Sequence, residues 1–253
     1  MRMAGHTVHL SVDPARHAEL TTATIELTAG GASLTLKITI PAGPTTMVEL
    51  LPVLQGLASL FAARGTARVE AAGQTISCRA GCGACCRQLV PVAGSEARHL
   101  AAVVDALPAE RRLAVRARFD AALAALDAAG LLSELSDPST IRSADQGMRY
   151  FRLAIPCPFL EDEACTIHAD RPLGCREYLV TSPAENCAAL QDRQIDMVPI
   201  DWKLSRSLVR ADPEEGWMPL VLALRFAKLA PPPRRQGGPD LLRAVITAGG
   251  ASG

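Results

Sequence analysis

All eight cysteines of this 253-residue chain lie in two segments. The first segment reads CRAGCGACC, and the second begins seventy residues later. The cysteines are Cys78, Cys82, Cys85, Cys86, Cys157, Cys165, Cys175 and Cys187. Cysteines that serve only as small buried residues would be scattered along the chain. The segregation therefore indicates one site that uses several thiols, and the fold must bring the two segments together.

Charge and hydropathy exclude several classes of partner. Lys plus Arg and Asp plus Glu are 26 each, which gives no electrostatic reason to expect a nucleic acid. Residues 1–15 contain no apolar stretch of signal-peptide length, and the apolar run of residues 218–227 is too short for a membrane span. We expect a soluble cytoplasmic protein without a membrane partner. In that reducing compartment, clustered cysteines indicate metal or redox chemistry rather than disulfides.

The composition predicts an α+β fold. Apolar residues make up 49% of the chain but aromatic residues only 4%, and the emphasis on Ala, Leu and Val favours helices. Near the N-terminus, Thr22–Leu27 and Ser33–Ile40 alternate like strands around the hairpin signal Gly30-Gly31. We predict a mainly helical metal-binding core with a small N-terminal antiparallel β layer.

Local signals give element boundaries. Thr46 and Glu49 have capping-box spacing, which predicts a helix from Pro44 that ends at Gly65. A short hairpin at 67–76 should follow. Further helices are predicted at 95–107, 109–129 and 217–229 and from residue 239, with a loop and short strand at 136–156. The expected regions are a β-rich N-terminal region with one helix (1–70), a cysteine-cluster domain (71–190) and a helical C-terminal extension with a frayed tail (191–253). An integral β layer packed on the helices is the alternative.

The first cysteine segment is built for a tight turn. Gly81 and Gly83 flank Cys82 and free the backbone to bring several sulfurs together. Adjacent Cys85 and Cys86 point in different directions in most backbone conformations. One of this pair should therefore serve a different metal, another edge of a cluster, or only the core, and ligands from the second segment are needed.

The second segment places its thiols in restrained surroundings. Pro156 and Pro158 hold Cys157 in an extended loop. Asp170 is predicted to cap a helix that begins at Arg171, which would put Cys175 near the helix N-terminus. The helix dipole would there lower the pKa of the Cys175 thiol and favour the thiolate that metals require.

These two motifs resemble those of a known family. The pairing of C-x3-C-x2-C-C with C-P-F-L-x4-C-x-I-H-x2-R-P-x2-C-R-x-Y is similar to the YkgJ-type cysteine-cluster family of zinc- or iron-chelating proteins. The resemblance covers residues 78–187 and implies that the metal ligands are Cys78, Cys82, Cys85, Cys86, Cys157, Cys165, Cys175 and Cys187. His168 has a spacing from Cys165 that could also suit zinc. Arg171, Arg176 and Tyr178 match the motif too, and we expect them to pack around the site.

Thiolate sites suit both zinc and iron–sulfur clusters, and two resemblances favour iron. The C-x3-C-x2-C spacing also occurs in radical S-adenosylmethionine enzymes, and flagellin lysine N-methylases resemble this chain at the motif. We predict a metal-binding protein that carries an iron–sulfur cluster, favouring [4Fe–4S], or Zn²⁺, with a redox, sensing or accessory role. The alternatives are an iron–sulfur methyl-transfer or radical enzyme and a zinc-stapled interaction module. No catalytic residue is identifiable, and the protein partner and number of metal sites stay open.

Overall fold

A computed structural model describes residues 6–29, 32–137, 144–190 and 193–250 and confirms the α+β class. The helices are α1 (Met47–Ala71), α2 (Gly94–Asp105), α3 (Ala109–Ala128), α4 (Leu132–Ser136), α5 (Ala144–Arg152), α6 (Leu173–Glu177), α7 (Leu204–Ala211), α8 (Ala223–Leu229) and α9 (Gly238–Gly250). The strands are β1 (His6–Ser11), β2 (Leu20–Ala29), β3 (Ala32–Pro41), β4 (Pro44–Thr45), β5 (Pro91–Ala93), β6 (Leu160–Glu161), β7 (Ala164–Cys165), β8 (Trp217–Pro219) and β9 (Gln236–Gly237).

The N-terminal strands form a three-stranded sheet in the order β1-β3-β2. The predicted antiparallel pair is confirmed as β2 and β3, while its turn at Gly30-Gly31 lies outside the described residues. Strand β1 pairs with β3 in parallel, so the layer is mixed. Alternate residues of β3 are buried because one face of the sheet packs on helices.

Helix α1 has the predicted capping box, but it begins at Met47 rather than Pro44, because Pro44–Thr45 forms strand β4, and it runs on past its predicted end. The Thr46 side chain accepts from Glu49 N at 3.3 Å and Glu49 Oε2 accepts from Thr46 N at 2.8 Å, which completes the capping box. Gly65 does not end the helix, and the hairpin predicted at 67–76 is wrong. Gly65 instead lets another segment approach, since a Cβ there would lie 2.7 Å from Pro199 O. The α1 helix ends only at Ala71.

Helix α1 is long and apolar enough to cross a membrane by length and composition alone. Half of its most apolar window is buried inside the protein. Leu51, Leu54, Leu57 and Phe61 are at most 1% exposed and pack in the same hydrophobic cluster as the sheet. The burial pattern is that of a core helix, on which the other elements pack.

Two further boundaries differ from the sequence prediction. Residues 144–152 form helix α5 rather than a loop with a strand. The helix predicted from Trp217 begins at Ala223, because Trp217–Pro219 pairs with β5 as strand β8. The helices predicted over 95–107 and 109–129 are confirmed as α2 and α3 within two residues at each end.

The core consists of two hydrophobic clusters. One joins the sheet to α1, α7 and α9, so the C-terminal extension packs with the N-terminal region. The other is built from α2, α3 and the segments around β8 and α8. Helix α6 contributes Leu173 to the first cluster, whereas Cys157 and Cys165 pack against the second. The cysteine segments therefore lie where the two clusters meet, and the boundaries near residues 70 and 190 stay predictions.

Candidate metal centre

The first cysteine segment is a tight loop between α1 and β5. Gly81 has a φ of +79°, and Cys82 N donates to Arg79 O at 3.2 Å to close the turn. Cys85 and Cys86 follow in a single 3-10 turn, Ala84–Arg87. The positive φ confirms that Gly81 provides the conformational freedom that the loop needs.

The second segment places each thiol on a different local structure. Cys157 precedes the β6–β7 hairpin and Cys165 lies on β7, the second strand of that hairpin. Cys175 lies in the middle of the short helix α6. Cys187 is buried in a 3-10 turn, Ala184–Ala188. All eight cysteines fall in the described part of the chain and are free thiols.

Backbone and side-chain hydrogen bonds join the two segments. Cys157 N donates to Cys86 O at 2.7 Å, and Ser77 N donates to Val180 O at 3.0 Å. Gln88 Nε2 donates to Cys187 O at 3.1 Å. The fold thus brings the two segments together, as the sequence required.

The eight thiols form two groups that meet at Cys85. We define the first lobe as Cys78, Cys82 and Cys187, and the second lobe as Cys157, Cys165 and Cys175. In the first lobe the Cys78 and Cys82 thiols raise the pKa of Cys187, and in the second the Cys157 and Cys165 thiols raise the pKa of Cys175. The Cys85 thiol raises the pKa of thiols in both lobes, and it is hydrogen-bonded to Cys86. Whether all eight are ligands stays a prediction, but all eight belong to one cluster.

Backbone N–H groups donate hydrogen bonds to four of the sulfurs. The thiols of Cys78, Cys157 and Cys165 accept hydrogen bonds from the backbone of Val180, Phe159 and Ile167, and each bond lowers the pKa of its thiol. Such N–H donors stabilise negative charge on sulfur. These three donors come from the second segment, and the backbone of Cys85 itself donates to the Cys85 thiol within the CRAGCGACC loop.

Tyr178 supplies a side-chain donor to the cluster. Its hydroxyl hydrogen-bonds to the Cys187 thiol and lowers the pKa of that thiol. Gln88 Nε2 in turn donates to the Tyr178 hydroxyl at 3.2 Å, which orients it. Tyr178 was expected to pack around the site, and its hydrogen bond to Cys187 gives it a direct contact there.

Burial opposes ionisation of these thiols. Burial, and to a lesser extent the nearby Cys165 thiol, raises the pKa of Cys157 to about 12. Burial likewise raises the pKa of Cys175, so the predicted lowering by the helix dipole is outweighed and that prediction is wrong. Helix α6 is too short for a large dipole effect, whereas Cys175 lies among other thiols. Several thiolates can coexist here only with added positive charge, as a metal would supply.

The donor set fits a soft metal, although the thiols do not form a ligand shell in this structure. Among the described residues, no group of three or more His, Cys, Asp or Glu side chains is arranged to hold a metal ion. Clustered thiols are the ligands that zinc and iron–sulfur clusters prefer. The site fits such a group by donor type, and the thiols would have to move to complete the ligand geometry.

Three arginines hold the hairpin that carries Cys165. Glu161 pairs with Arg118 and, at 3.3 Å, with Arg111 of the same helix α3. Arg87 pairs with Glu163 at 2.6 Å and donates to Gly83 O at 3.1 Å, so it links the hairpin to the first cysteine segment. Each pair is partly exposed and weak alone, but together they fix the position of the hairpin.

Two buried carboxylates hold helix α6, and the sequence analysis missed both. Glu96 Oε1 accepts from Leu173 N at 2.7 Å, while its Oε2 accepts from Ala93 N at 2.9 Å. At the other end, Glu177 accepts from Ser205 N at 3.0 Å and so caps α7. The predicted cap by Asp170 is wrong, because the helix begins at Leu173 and Glu96 takes that role. The contact between Glu96 and Leu173 joins positions far apart in the chain, so no local pattern could have revealed it.

The remaining motif residues lie around α6. His168 is exposed, and the positive charge of Arg171 and then burial lower its pKa. Its ligation of a metal stays a prediction that no contact in the structure supports. Arg176 donates from Nε to Arg171 O at 3.0 Å and from Nη1 to Ser59 Oγ at 3.1 Å, as expected of a packing residue.

An α+β fold that gathers thiols from two segments into one cluster defines a cysteine-rich metal-binding class of protein. Residues 77–195 match the family model "CxxCxxCC: Putative zinc- or iron-chelating domain". The match confirms the resemblance that the motifs indicated and covers a little under half of the chain. It supports the binding of zinc or iron by this domain. No curated protein and no solved structure matches the chain significantly.

Proposed function

We propose that this protein assembles an iron–sulfur cluster on cysteines of both segments and has a redox, sensing or accessory role. The observation that carries the proposal is the position of Cys85 between the two lobes. A cluster with several irons needs thiolates that approach from different directions, and both lobes offer them around this one residue.

Hydrogen bonds to sulfur support the choice of a redox group. The N–H groups of Val180, Phe159 and Ile167 point at sulfurs, and the Tyr178 hydroxyl points at Cys187. Such donors stabilise the more negative state of a cluster and raise its reduction potential. The protein's own part is to hold the thiolates, to orient them through these donors and to limit access of water. A bound cluster would supply the capacity to exchange electrons.

The second candidate is a protein with two zinc ions and a structural role. The two lobes contain three thiols each, and the adjacent Cys85 and Cys86 could complete one lobe each. Two closed four-cysteine sites would result, which is the usual ligand count for structural zinc. Both candidates require reduced thiols, and we therefore propose a reducing compartment such as the cytoplasm.

Metal and sulfide analysis of anaerobically purified protein tests the proposal. We expect brown protein with iron and acid-labile sulfide in similar amounts and with visible absorption that bleaches in air. The variants Cys82→Ser and Cys175→Ser, one from each segment, should lose most of the metal. Colourless protein with stoichiometric zinc and no sulfide would replace the first candidate by the second. Protein that binds neither metal under these conditions would refute both.

A further inference from the structure

Arg171 faces the cluster and has an unsatisfied buried donor. It lies directly before helix α6, between Asp170 and Pro172. Its Nε is buried and finds no hydrogen-bond partner in the part of the chain that the structure describes. Its side chain also takes part in none of the ion pairs found there. A buried donor without a hydrogen-bond partner costs stability. A group that binds to the folded protein would supply the missing acceptor.

The charge of Arg171 acts on thiols of both lobes. Its guanidinium lies close enough to lower the pKa of Cys78, Cys85 and Cys165. These three thiols come from the first loop, its 3-10 turn and strand β7. Arg171 therefore faces the middle of the cluster rather than a single cysteine. The other charged neighbours that interact with it are Arg176 and His168, which are also basic.

Arg176, five residues further along, provides a contrast within the same turn. It donates from Nε to a backbone carbonyl, from Nη1 to Ser59 and from Nη2 to Ala169 O. Its donors are thus engaged in holding the backbone around α6. The donors of Arg171 are not engaged in this way, although both arginines are only partly exposed. Packing explains Arg176 but leaves the orientation of Arg171 unexplained.

The net charge of a metal-loaded thiolate site indicates a role for Arg171. Two divalent ions would neutralise only half of the charge on eight thiolates, and an iron–sulfur cluster with four thiolates also remains negative. A net negative charge in a partly buried site needs nearby cations or N–H donors. A guanidinium is permanently charged and its planar N–H groups are arranged to donate to anions.

We propose that Arg171 is a positioning residue that donates from Nε to a thiolate of the loaded site and balances part of its negative charge. The inference rests on the proposed function, since it requires a bound metal. It makes Arg171 a determinant of metal affinity that lies outside the set of cysteines.

Metal titration of the reduced full-length chain tests this role, with Co²⁺ as the probe because its thiolate complexes absorb visibly. Arg171→Met should lower the Co²⁺ affinity about 10- to 100-fold, the usual cost of losing such a partner. It should also raise the pH at which half of the sites fill, because the thiolates lose a stabilising charge. Arg171→Lys keeps the charge, so it should restore the pH midpoint and only part of the affinity. The control Arg79→Met removes an exposed arginine between Cys78 and Cys82 and should change neither quantity.

Each other outcome contradicts the inference. Equal affinities for the Arg171→Met and Arg79→Met variants would refute it while leaving the proposed function intact. A loss of affinity without a shift of the pH midpoint, equal in Arg171→Met and Arg171→Lys, would show a purely structural role. If Arg171→Met does not fold, Arg171→Lys still has to bind Co²⁺ more weakly than the unmodified protein. Failure of the unmodified protein to bind Co²⁺, zinc or iron would refute the inference and the proposed function together.

Discussion

The position of Cys85 distinguishes it from the other cysteines at the residue scale. Its thiol interacts with Cys78 and Cys187 of the first lobe and with Cys157, Cys165 and Cys175 of the second. It is also hydrogen-bonded to its neighbour Cys86. A residue in this place connects the two lobes, whereas Cys187 is held by Tyr178 at the edge of one.

We therefore expect Cys85→Ser to lower the amount of bound metal per protein more than Cys187→Ser does. The serine hydroxyl is a much weaker ligand for zinc or iron than a thiolate, so the substitution removes one strong ligand with little change in volume. Loss of Cys85 should lower the metal-to-protein ratio of both lobes, by more than half, while loss of Cys187 should affect the first lobe alone. Elemental analysis of the purified variants measures the ratio. Equal losses would show that Cys85 does not connect the lobes.

Glu96 predicts a pH dependence of folding stability. Burial raises the pKa of its carboxyl from the ordinary value of 4.5 to about 7. Between these values the unfolded chain releases a proton that the folded chain keeps, so rising pH favours unfolding. The stabilisation is fully present below pH 4.5 and is lost as pH rises through 7, by about 3 kcal/mol if the whole shift counts.

The variant Glu96→Gln isolates this contribution from the effect of pH on the thiols. The amide that it introduces does not titrate, so the difference in unfolding free energy between the unmodified protein and the variant should shrink as pH rises from 4.5 to about 7. Urea unfolding of both proteins in the same metal-free, reduced state across this range measures the difference. A difference that stays constant with pH would contradict the raised pKa of Glu96.

Two helical glycines give opposite predictions at the scale of elements. Gly65 lies in α1 where an added Cβ would meet Pro199 O at 2.7 Å, so Gly65→Ala should destabilise the protein by about 1–3 kcal/mol. Gly147 lies in α5 with nothing within 4 Å of the Cβ position. Gly147→Ala should stabilise the protein by about 0.5–1 kcal/mol through helix propensity alone. Thermal and urea unfolding measure both changes, and the same sign for both variants would refute the packing of α1 against Pro199.

The helix ends show how far local patterns predict this fold. The start of α1 is predictable because Thr46 and Glu49 form a complete local signal within four residues. Its end is not, because glycine at position 65 can end a helix or let another segment pack closely, and only Pro199 decides between them. The N-terminal cap of α6 could not be predicted for the same reason. Asp170 is the local candidate, but the group that accepts from Leu173 N is the carboxylate of Glu96 on helix α2.

That the fold brings the cysteines of both segments together was predictable from the sequence, whereas their arrangement was not, and their roles as ligands stay predictions. The cysteines identify themselves by their segregation, and Gly81 by its place beside Cys82. Cys187 lies with the first segment because of the path that the chain takes after α6. The spacing of the cysteines does not predict that path. The same is true of Arg171, whose role depends on the direction of one side chain.

At the scale of the whole molecule, the cysteine segments join two hydrophobic clusters. The sheet and α1 belong to the first cluster and should keep their structure without metal. The loop at 78–87 contributes no residue to either cluster, whereas the segment 157–187 contributes Phe159, Ile167 and Leu173. Because both segments carry the thiols, we expect their order to depend on the thiolate site.

Removal of the metal should therefore loosen the molecule unevenly. After chelation of the loaded protein, amide hydrogen exchange should become much faster in 78–87 and 157–187 and change little in β2, β3 and the first turns of α1. Hydrogen exchange with mass spectrometry measures this by segment. Uniformly faster exchange would mean that the metal supports the whole fold, and no change would mean that the thiols are not a metal site.

The pairing of Cys187 with Cys78 and Cys82 also imposes an order on biosynthesis. The first lobe spans 109 positions, from 78 to 187, so it remains incomplete while the intervening chain is translated. At about 5–20 residues per second, the early thiols wait roughly 5–20 s for their last neighbour. During that interval they are exposed to oxidants and to the wrong metals. If these thiols share a metal, the first lobe cannot be loaded completely before Cys187 has been translated, and the yield of correctly loaded protein should depend on how well the cell protects the nascent CRAGCGACC segment.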